Sequence, residues 1–173
     1  IEAAQIQVNN SDFDEFIENL KPDAVLFDRF ITEEQFGWRV AEYCPDAIRI
    51  LDTEDLHFLR RARKTAVKES RPFQNEDLLL EETTKREIAS IYRCYLTLMI
   101  SEFEMELLTD FFDIDGDLLC YIPFLLDAIE GHDIEDWPSF AERDHFVTIG
   151  NFRHPPNWDA VLYLKQQIWP LIK

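Results

Sequence analysis

Short apolar runs alternate with stretches of helical period along this chain, and that alternation limits its fold more than any other feature. Ala24-Val25-Leu26-Phe27 ending at Asp28, Ile48-Arg49-Ile50-Leu51, Leu96-Thr97-Leu98-Met99-Ile100 and Leu118 to Ile122 each read as a short strand, with helical patterns between them. Repetition of strand, helix and strand marks βαβ units around a parallel sheet. The expected class is therefore α/β, a Rossmann-like parallel sheet with flanking helices.

The helices can be placed from their punctuation. One is expected over Ser11 to Leu20, before the Pro22-Asp23 break. Thr32 followed by Gln35 has capping-box spacing and predicts a helix reaching Tyr43, which Pro45-Asp46 stops. Asp52-Thr53-Glu54-Asp55 offers acceptors to the first turn of a long third helix. Beyond Arg71-Pro72, a helix is expected from about Asn75 to Arg93, with Leu79, Ile88, Ile91 and Tyr92 on its apolar side. Ser101 with Glu104 repeats the capping-box spacing and opens a helix through Phe112.

The character of the chain changes near Asp127. An acidic stretch to Asp144, broken by Gly131 and Pro138, reads as a linker. His145 to Ile149 is then expected as a fifth strand, Gly150 to Pro156 as a loop, and Asn157 as the N-cap of a helix carrying Val161, Leu164, Ile168 and Trp169. One strand and one helix leave both sheet edges and an apolar face uncovered, so further sequence is expected after this unit. An upstream stretch is expected as well, because the chain opens on Ile1 without a basic and apolar leader. The anticipated organisation is a first domain over 1–128, a linker over 129–144 and a second domain beginning at 145–173.

Composition narrows the function. With 173 residues, 46% hydrophobic and 13% aromatic, the chain can bury one core. Its longest nearly apolar stretch, Leu118 to Leu126, is half of the roughly 20 residues a membrane-spanning helix needs. Cys44, Cys94 and Cys120 are odd in number and lack C-x-x-C spacing, which points away from a disulfide framework or zinc site and toward a reducing cytoplasm. A formal charge of −18 repels phosphate backbones, so nucleic acid is not an expected partner. Arg60, Arg61, Arg63, Lys64, Lys68 and Arg71 form a local basic cluster. It reads either as a solvated helix end or as a peripheral contact with anionic lipid at the inner membrane face, or with a phosphorylated substrate.

Ligands of open parallel sheets sit beyond the carboxyl ends of the strands, which directs attention to Asp28-Arg29, Asp52, Asp55, His57, Ser101-Glu102, Pro123-Phe124 and Gly150-Asn151. His57 beside Asp52 and Asp55 has the makings of an acid/base imidazole oriented by carboxylates. The same aspartates, and Ser101, serve equally as helix caps. Gly150-Asn151 offers backbone amides to a diphosphate if a strand ends there and a helix begins beyond it. Asp113-Ile114-Asp115-Gly116-Asp117 fails as a calcium loop, because the turn glycine and terminal glutamate would fall on Leu118 and Phe124. No P-loop, G-x-G-x-x-G, G-x-S-x-G or H-E-x-x-H is present.

Several stretches taken together resemble the group 1 glycosyltransferases (family 4-like) of the two-domain GT-B type. They are Pro22-Asp23-Ala24-Val25-Leu26-Phe27-Asp28, Ile100-Ser101-Glu102, Tyr121-Ile122-Pro123-Phe124, and the final block Phe146 to Phe152 with Pro156-Asn157-Trp158-Asp159-Ala160 and Ile168-Trp169-Pro170. The resemblance spans almost the whole chain. It implies a partial GT-B architecture, in which 1–128 is the later half of an acceptor-side domain and 145–173 opens the donor-binding domain.

By that resemblance a sugar passes from a nucleotide-sugar donor to a hydroxyl of a glycan, lipid-linked or protein acceptor, with retained configuration and without a metal or other cofactor. Gly150 and Asn151 would border the donor phosphates. Asp52, Asp55 and His57 would face the cleft as the catalytic group, with Asp28, Arg29, Ser101 and Glu102 on the acceptor side. The family's glutamate-rich motif and phosphate-binding cations have no counterpart in these residues, so the stretch alone is expected to be inactive. Two other readings stay open: a non-catalytic doubly wound binding or regulatory module, and another two-domain sugar enzyme on the same scaffold.

Overall fold

Phe27, Leu51, Thr97 and Leu119 stand in register across four parallel strands, and all four are buried. The strands are β1 (Ala24–Asp28), β2 (Ile48–Asp52), β3 (Leu96–Met99) and β4 (Leu119–Tyr121), and their order in the sheet is β1-β2-β3-β4. The computed structural model describes residues 3–129 and 137–172. It divides the chain into two compact units, Ile1–Leu126 and Asp127–Lys173.

The first unit is an α/β structure of Rossmann-like type, a parallel sheet flanked by helices. Because each strand adds on the same side of the last, right-handed crossovers carry the connecting helices to one face. The burial pattern agrees. Phe27, Leu51, Thr97, Met99 and Leu119 are enclosed, while on the other face Leu26 is 56% and Ile48 51% exposed, and Ile50, Leu96 and Leu98 are half-buried. Burying a Phe or Leu side chain contributes about 1.5–3 kcal/mol, so the first face supplies most of the cohesion of this sheet.

Among the described residues this unit has six α-helices: α1 (Asp12–Leu20), α2 (Arg29–Tyr43), α3 (His57–Lys68), α4 (Asp77–Leu80), α5 (Glu82–Arg93) and α6 (Glu102–Asp110). Helix α1 opens on Asp12, Asp14 and Glu15, which favour the positive end of the helix dipole, and it packs Phe13 against Phe36 of α2. Helices α2 and α5 are joined by an ion pair whose carboxylate is buried and whose guanidinium is partly exposed. Glu33, 1% exposed, accepts from Arg93 Nε at 2.9 Å and from its terminal nitrogen at 2.5 Å. Gly37 is required beneath it, because a Cβ there would fall on Glu33 Oε1.

Three expected helix boundaries are corrected. Helix α2 does not open on a Thr32 capping box. It follows directly from Asp28, with Arg29 in a left-handed conformation (φ 67°) making the turn out of β1. Asp52 to Asp55 is not a first helical turn, since α3 begins at His57. The helix expected over residues 75–93 is interrupted at Glu81, whose extended backbone (φ −81°, ψ 120°) and side chain cap α5 by accepting from the Thr83 amide.

The apolar side expected for that helix also differs. Leu79 and Tyr92 are exposed, Ile88 is half-buried, and the enclosed stripe of α5 is Thr83, Thr84, Glu87, Ser90 and Ile91. This stripe is mostly polar and finds its partners in neighbouring elements, a circumstance periodicity cannot reveal. The Ser101 cap is observed, with Oγ accepting from the Glu104 amide at 3.3 Å, and α6 ends at Asp110 rather than Phe112.

In the second unit, a 3₁₀ turn at Phe140–Glu142 is capped reciprocally by Ser139 and Glu142. The fifth strand expected over His145 to Ile149 is absent. Among the described residues these five have no strand beside them, and a lone extended segment cannot satisfy its backbone in a ladder. Helix α7 (Pro155–Tyr163) starts on Pro155 and Pro156, where a missing N–H costs nothing, so its N-cap is His154 and not Asn157. It continues through a π-helical turn, Leu164–Ile168, into a last turn, Trp169–Ile172. Pro170 accounts for the turn, since its ring excludes a regular hydrogen bond to the preceding helical turn. Phe146 packs edge-on to Trp169, with ring centroids 5.5 Å apart. Of the expected linker, residues 130–136 lie outside the described residues. Among the described residues no helix is long and apolar enough to cross a membrane.

Candidate functional site

The carboxyl ends of β1 and β2 bring four acidic side chains and a guanidinium into one place. Asp28 and Asp52 are register partners. Arg29 lies 3.6 Å from Asp28 and 3.7 Å from Glu54, so it ties the end of β1 to the loop after β2. Asp52 Oδ1 accepts from the Glu54 amide at 3.3 Å, and Asp55 is paired with Arg60 at 3.0 Å.

Two of these residues hold an unfavourable backbone. Arg29 (φ 67°) and Glu54 (φ 61°) are both left-handed, which costs a residue with a Cβ roughly 1–2 kcal/mol. Such conformations persist where the surroundings over-determine them, and they gather at binding sites. Here the two strained residues are joined to each other by an ion pair at the sheet edge where α/β ligands bind.

His57 is less open than its sequence context predicts. The residue is 6% exposed, and its ring packs edge-on to Phe30 at 5.4 Å. Its Nε2 is enclosed without a hydrogen-bond partner and lies 3.6 Å from Asp55 Oδ1. Burial, followed by the positive charge of Arg60, holds the imidazole below its ordinary pKa and therefore neutral at pH 7. The structure thus places the ring, expected as an acid/base imidazole or as a packed histidine, in an enclosed setting at the start of α3.

The loop between β2 and α3 is held from behind. Helix α3 has no side-chain cap of its own, and the two oxygens of Glu87, on α5, accept from the amides of His57 at 3.1 Å and Phe58 at 3.0 Å. Glu104, on α6, is half-buried, and burial raises its carboxyl above the ordinary range. Thr53 anchors the other side of the loop, with Oγ1 donating to the Leu98 carbonyl at 3.0 Å. In the sequence Thr53, Glu54 and Glu104 carry only helix-capping signals, and the signal for Glu87 is its place among Thr83, Thr84 and Ser90 on one helical stripe.

The remaining expected site residues fall elsewhere. Ser101 and Glu102 follow β3, with Ser101 occupied as a cap. Gly150 and Asn151 lie in the second unit and do not follow a strand. Gly150 has no positive φ, and a Cβ on it would meet Asn157 Nδ2 at 3.2 Å. Asn151 is engaged in its own turn, its Oδ1 accepting from the Arg153 amide and its carbonyl from Asn157 Nδ2.

The arginines of the basic cluster are engaged within the fold. Arg60 pairs with Asp55, Arg61 donates to Thr83 at 2.6 Å, Arg71 bridges Glu69 and Asp77, and Arg63 lies over the rings of Phe73 and Phe103. Among the described residues no cluster of three or more His, Cys, Asp or Glu side chains is arranged to hold a metal ion.

The chain matches no protein-family model, no curated protein and no solved structure.

Proposed function

We propose that this chain is part of a GT-B-type glycosyltransferase that moves a sugar from a nucleotide-sugar donor to an acceptor hydroxyl. The first unit would serve as the acceptor-side domain, and the second would open the donor side. The reaction type comes from the sequence resemblance. The observation that carries the reading is the strained, ion-paired couple Arg29 and Glu54 between Asp28 and Asp52, placed where an open parallel sheet receives its ligand. The one-directional strand order supports it too, because one half of a doubly wound sheet steps in this way.

Carboxylates such as Asp28 and Asp52 are suited to accept hydrogen bonds from sugar hydroxyls, and Arg29 to hold an anionic group of donor or acceptor. No metal or other cofactor is part of the proposal. A neutralised Arg60 and Arg61 favour an acceptor met in solution over one met through this cluster at an anionic membrane surface, and the proposed setting is the cytoplasm.

The test is a transfer and hydrolysis assay of the full-length polypeptide with a panel of nucleotide-sugars. Release of nucleoside diphosphate, lowered at least tenfold in Asp52→Asn or Arg29→Ala with folding intact, is the expected result. A non-catalytic module would release none with any donor, and that outcome would remove the proposal.

A further inference from the structure

The second unit contains a cavity of about 380 Å³ that has no part in the proposed reaction. His145 and Phe146 line it from the segment before α7, and Val161, Leu164, Lys165 and Trp169 line it from α7 and its continuation. The volume lies at the lower end of the range for small-molecule sites, roughly 300–1,000 Å³, and the lining has the character of such sites, apolar and aromatic with a few polar groups.

The helical wall depends on a change of pitch. Two turns of α-helix take about seven residues, which would set Ile168 over Val161. The π-helical turn Leu164–Ile168 adds a residue to that interval, and Trp169, not Ile168, lines the cavity with Val161. Turns of this width recur at functional sites. Trp169 is braced by the edge-on ring of Phe146, and His145 enters the wall with a left-handed backbone (φ 76°). That conformation is unfavourable for a residue with a Cβ and persists where the surroundings hold it.

Charge decides what the cavity can hold. The chain carries 35 acidic side chains against 17 lysines and arginines, yet among the described residues no carboxylate lines this cavity. Its polar side chains are the Lys165 ammonium, with three donors and no acceptor, and the His145 imidazole. We propose that the cavity binds an amphiphilic anion, a small molecule with an apolar tail and a phosphate or carboxylate head. The tail lies among Phe146, Val161, Leu164 and Trp169, and the head meets Lys165. The proposal does not depend on the glycosyltransferase reading.

Calorimetric titration of the full-length polypeptide with octyl phosphate, kept below its micelle concentration, tests the site beside octanol and inorganic phosphate. Octyl phosphate is expected to bind roughly tenfold more tightly than octanol, the effect of one charge-assisted hydrogen bond, and inorganic phosphate to bind most weakly of the three. Lys165→Met should bring octyl phosphate to the affinity of octanol and leave octanol as it was. Val161→Trp fills the cavity and should weaken both octyl ligands by roughly tenfold or more. Leu26→Thr with Ile48→Thr, on the exposed sheet face of the first unit, should change neither, which assigns the binding to the second unit. No binding of octyl phosphate, equal binding of octyl phosphate and octanol, or a preference that survives in Lys165→Met would overturn the proposal. Loss of binding in Leu26→Thr with Ile48→Thr would overturn it as well. Should Val161→Trp fail to fold, Lys165→Met, a change at an exposed side chain, decides the matter with the parent protein.

Discussion

Asp28 and Asp52 face each other as register partners at the carboxyl ends of neighbouring parallel strands, one strand spacing of about 4.8 Å apart. Two carboxylates so placed repel each other unless a cation or a ligand's donors lie between them. Arg29 supplies part of that compensation to Asp28, and the Glu54 amide supplies part to Asp52. The adjoining left-handed backbone at Arg29 and Glu54 is the cost of this arrangement. Polar groups that are mutually unfavourable in the free protein and converge at a sheet edge have the character of a binding site.

Replacing Glu54 by glycine separates strain from function. Glycine adopts a left-handed φ without penalty, so Glu54→Gly should recover roughly 1 kcal/mol, while the exposed pair with Arg29 that it removes is worth about 0–1 kcal/mol. Urea unfolding is expected to show unchanged or raised stability. Titration of the full-length polypeptide with the nucleotide-sugar it turns over should show weaker binding. A clear loss of stability would mean that Glu54 is not strained.

Helices α2 and α5 should depend on the Glu33–Arg93 pair. Arg93→Met leaves a carboxylate buried without a partner, and about 3–5 kcal/mol of stability should be lost. Glu33→Leu combined with Arg93→Met should recover most of it. Gly37→Ala pushes a methyl group onto the pinned Glu33 carboxylate and should cost about 1–3 kcal/mol. Thermal unfolding of the four proteins checks all three statements.

Glu87 and His57 pull the pH dependence of stability in opposite directions. The Glu87 carboxyl is raised from 4.5 to about 7 in the folded state, so the folded protein holds a proton there that the unfolded chain has released. Its contribution is complete below about pH 4.5 and is lost as pH rises to about 7, on the order of 3 kcal/mol in all. His57 is depressed in the folded state, and its contribution is present above its unfolded value near 6.5 and lost as pH falls. Denaturant titrations from pH 5 to 8 should give a flatter fall on the alkaline side in Glu87→Gln, and a smaller loss on the acid side in His57→Asn.

The bare face of the sheet makes its own prediction. Leu26 and Ile48 expose half or more of their area on adjacent strands, beside half-buried Ile50, Leu96 and Leu98. Parallel sheets normally have both faces covered. The unit of residues 3–126 studied alone should bind a fluorescent apolar dye, and Ile48→Thr with Leu26→Thr should reduce that binding without lowering the unfolding midpoint. Equal dye binding in both forms would show that the dye reads another surface.

The local pattern of the chain was enough for the class of fold, because strand and helix periods are written residue by residue. The four apolar runs became four strands in almost the expected places, their parallel pairing follows from the helices between them, and Ser101 capped its helix as its spacing requires. The strand ends drew attention to Asp28, Arg29, Asp52 and Asp55 for the same reason. What tertiary structure alone decided were the features whose partners are distant in sequence. Thirty residues separate His57 from the carboxylate that takes its amide, and sixty separate Glu33 from Arg93. Those contacts moved the start of α3, turned a polar stripe of α5 inward and enclosed His57, because a buried amide or charge takes whichever partner the packing brings to it. The segment from His145 to Ile149 shows the same dependence in reverse, since an apolar run becomes a strand only where a neighbour completes its hydrogen bonds.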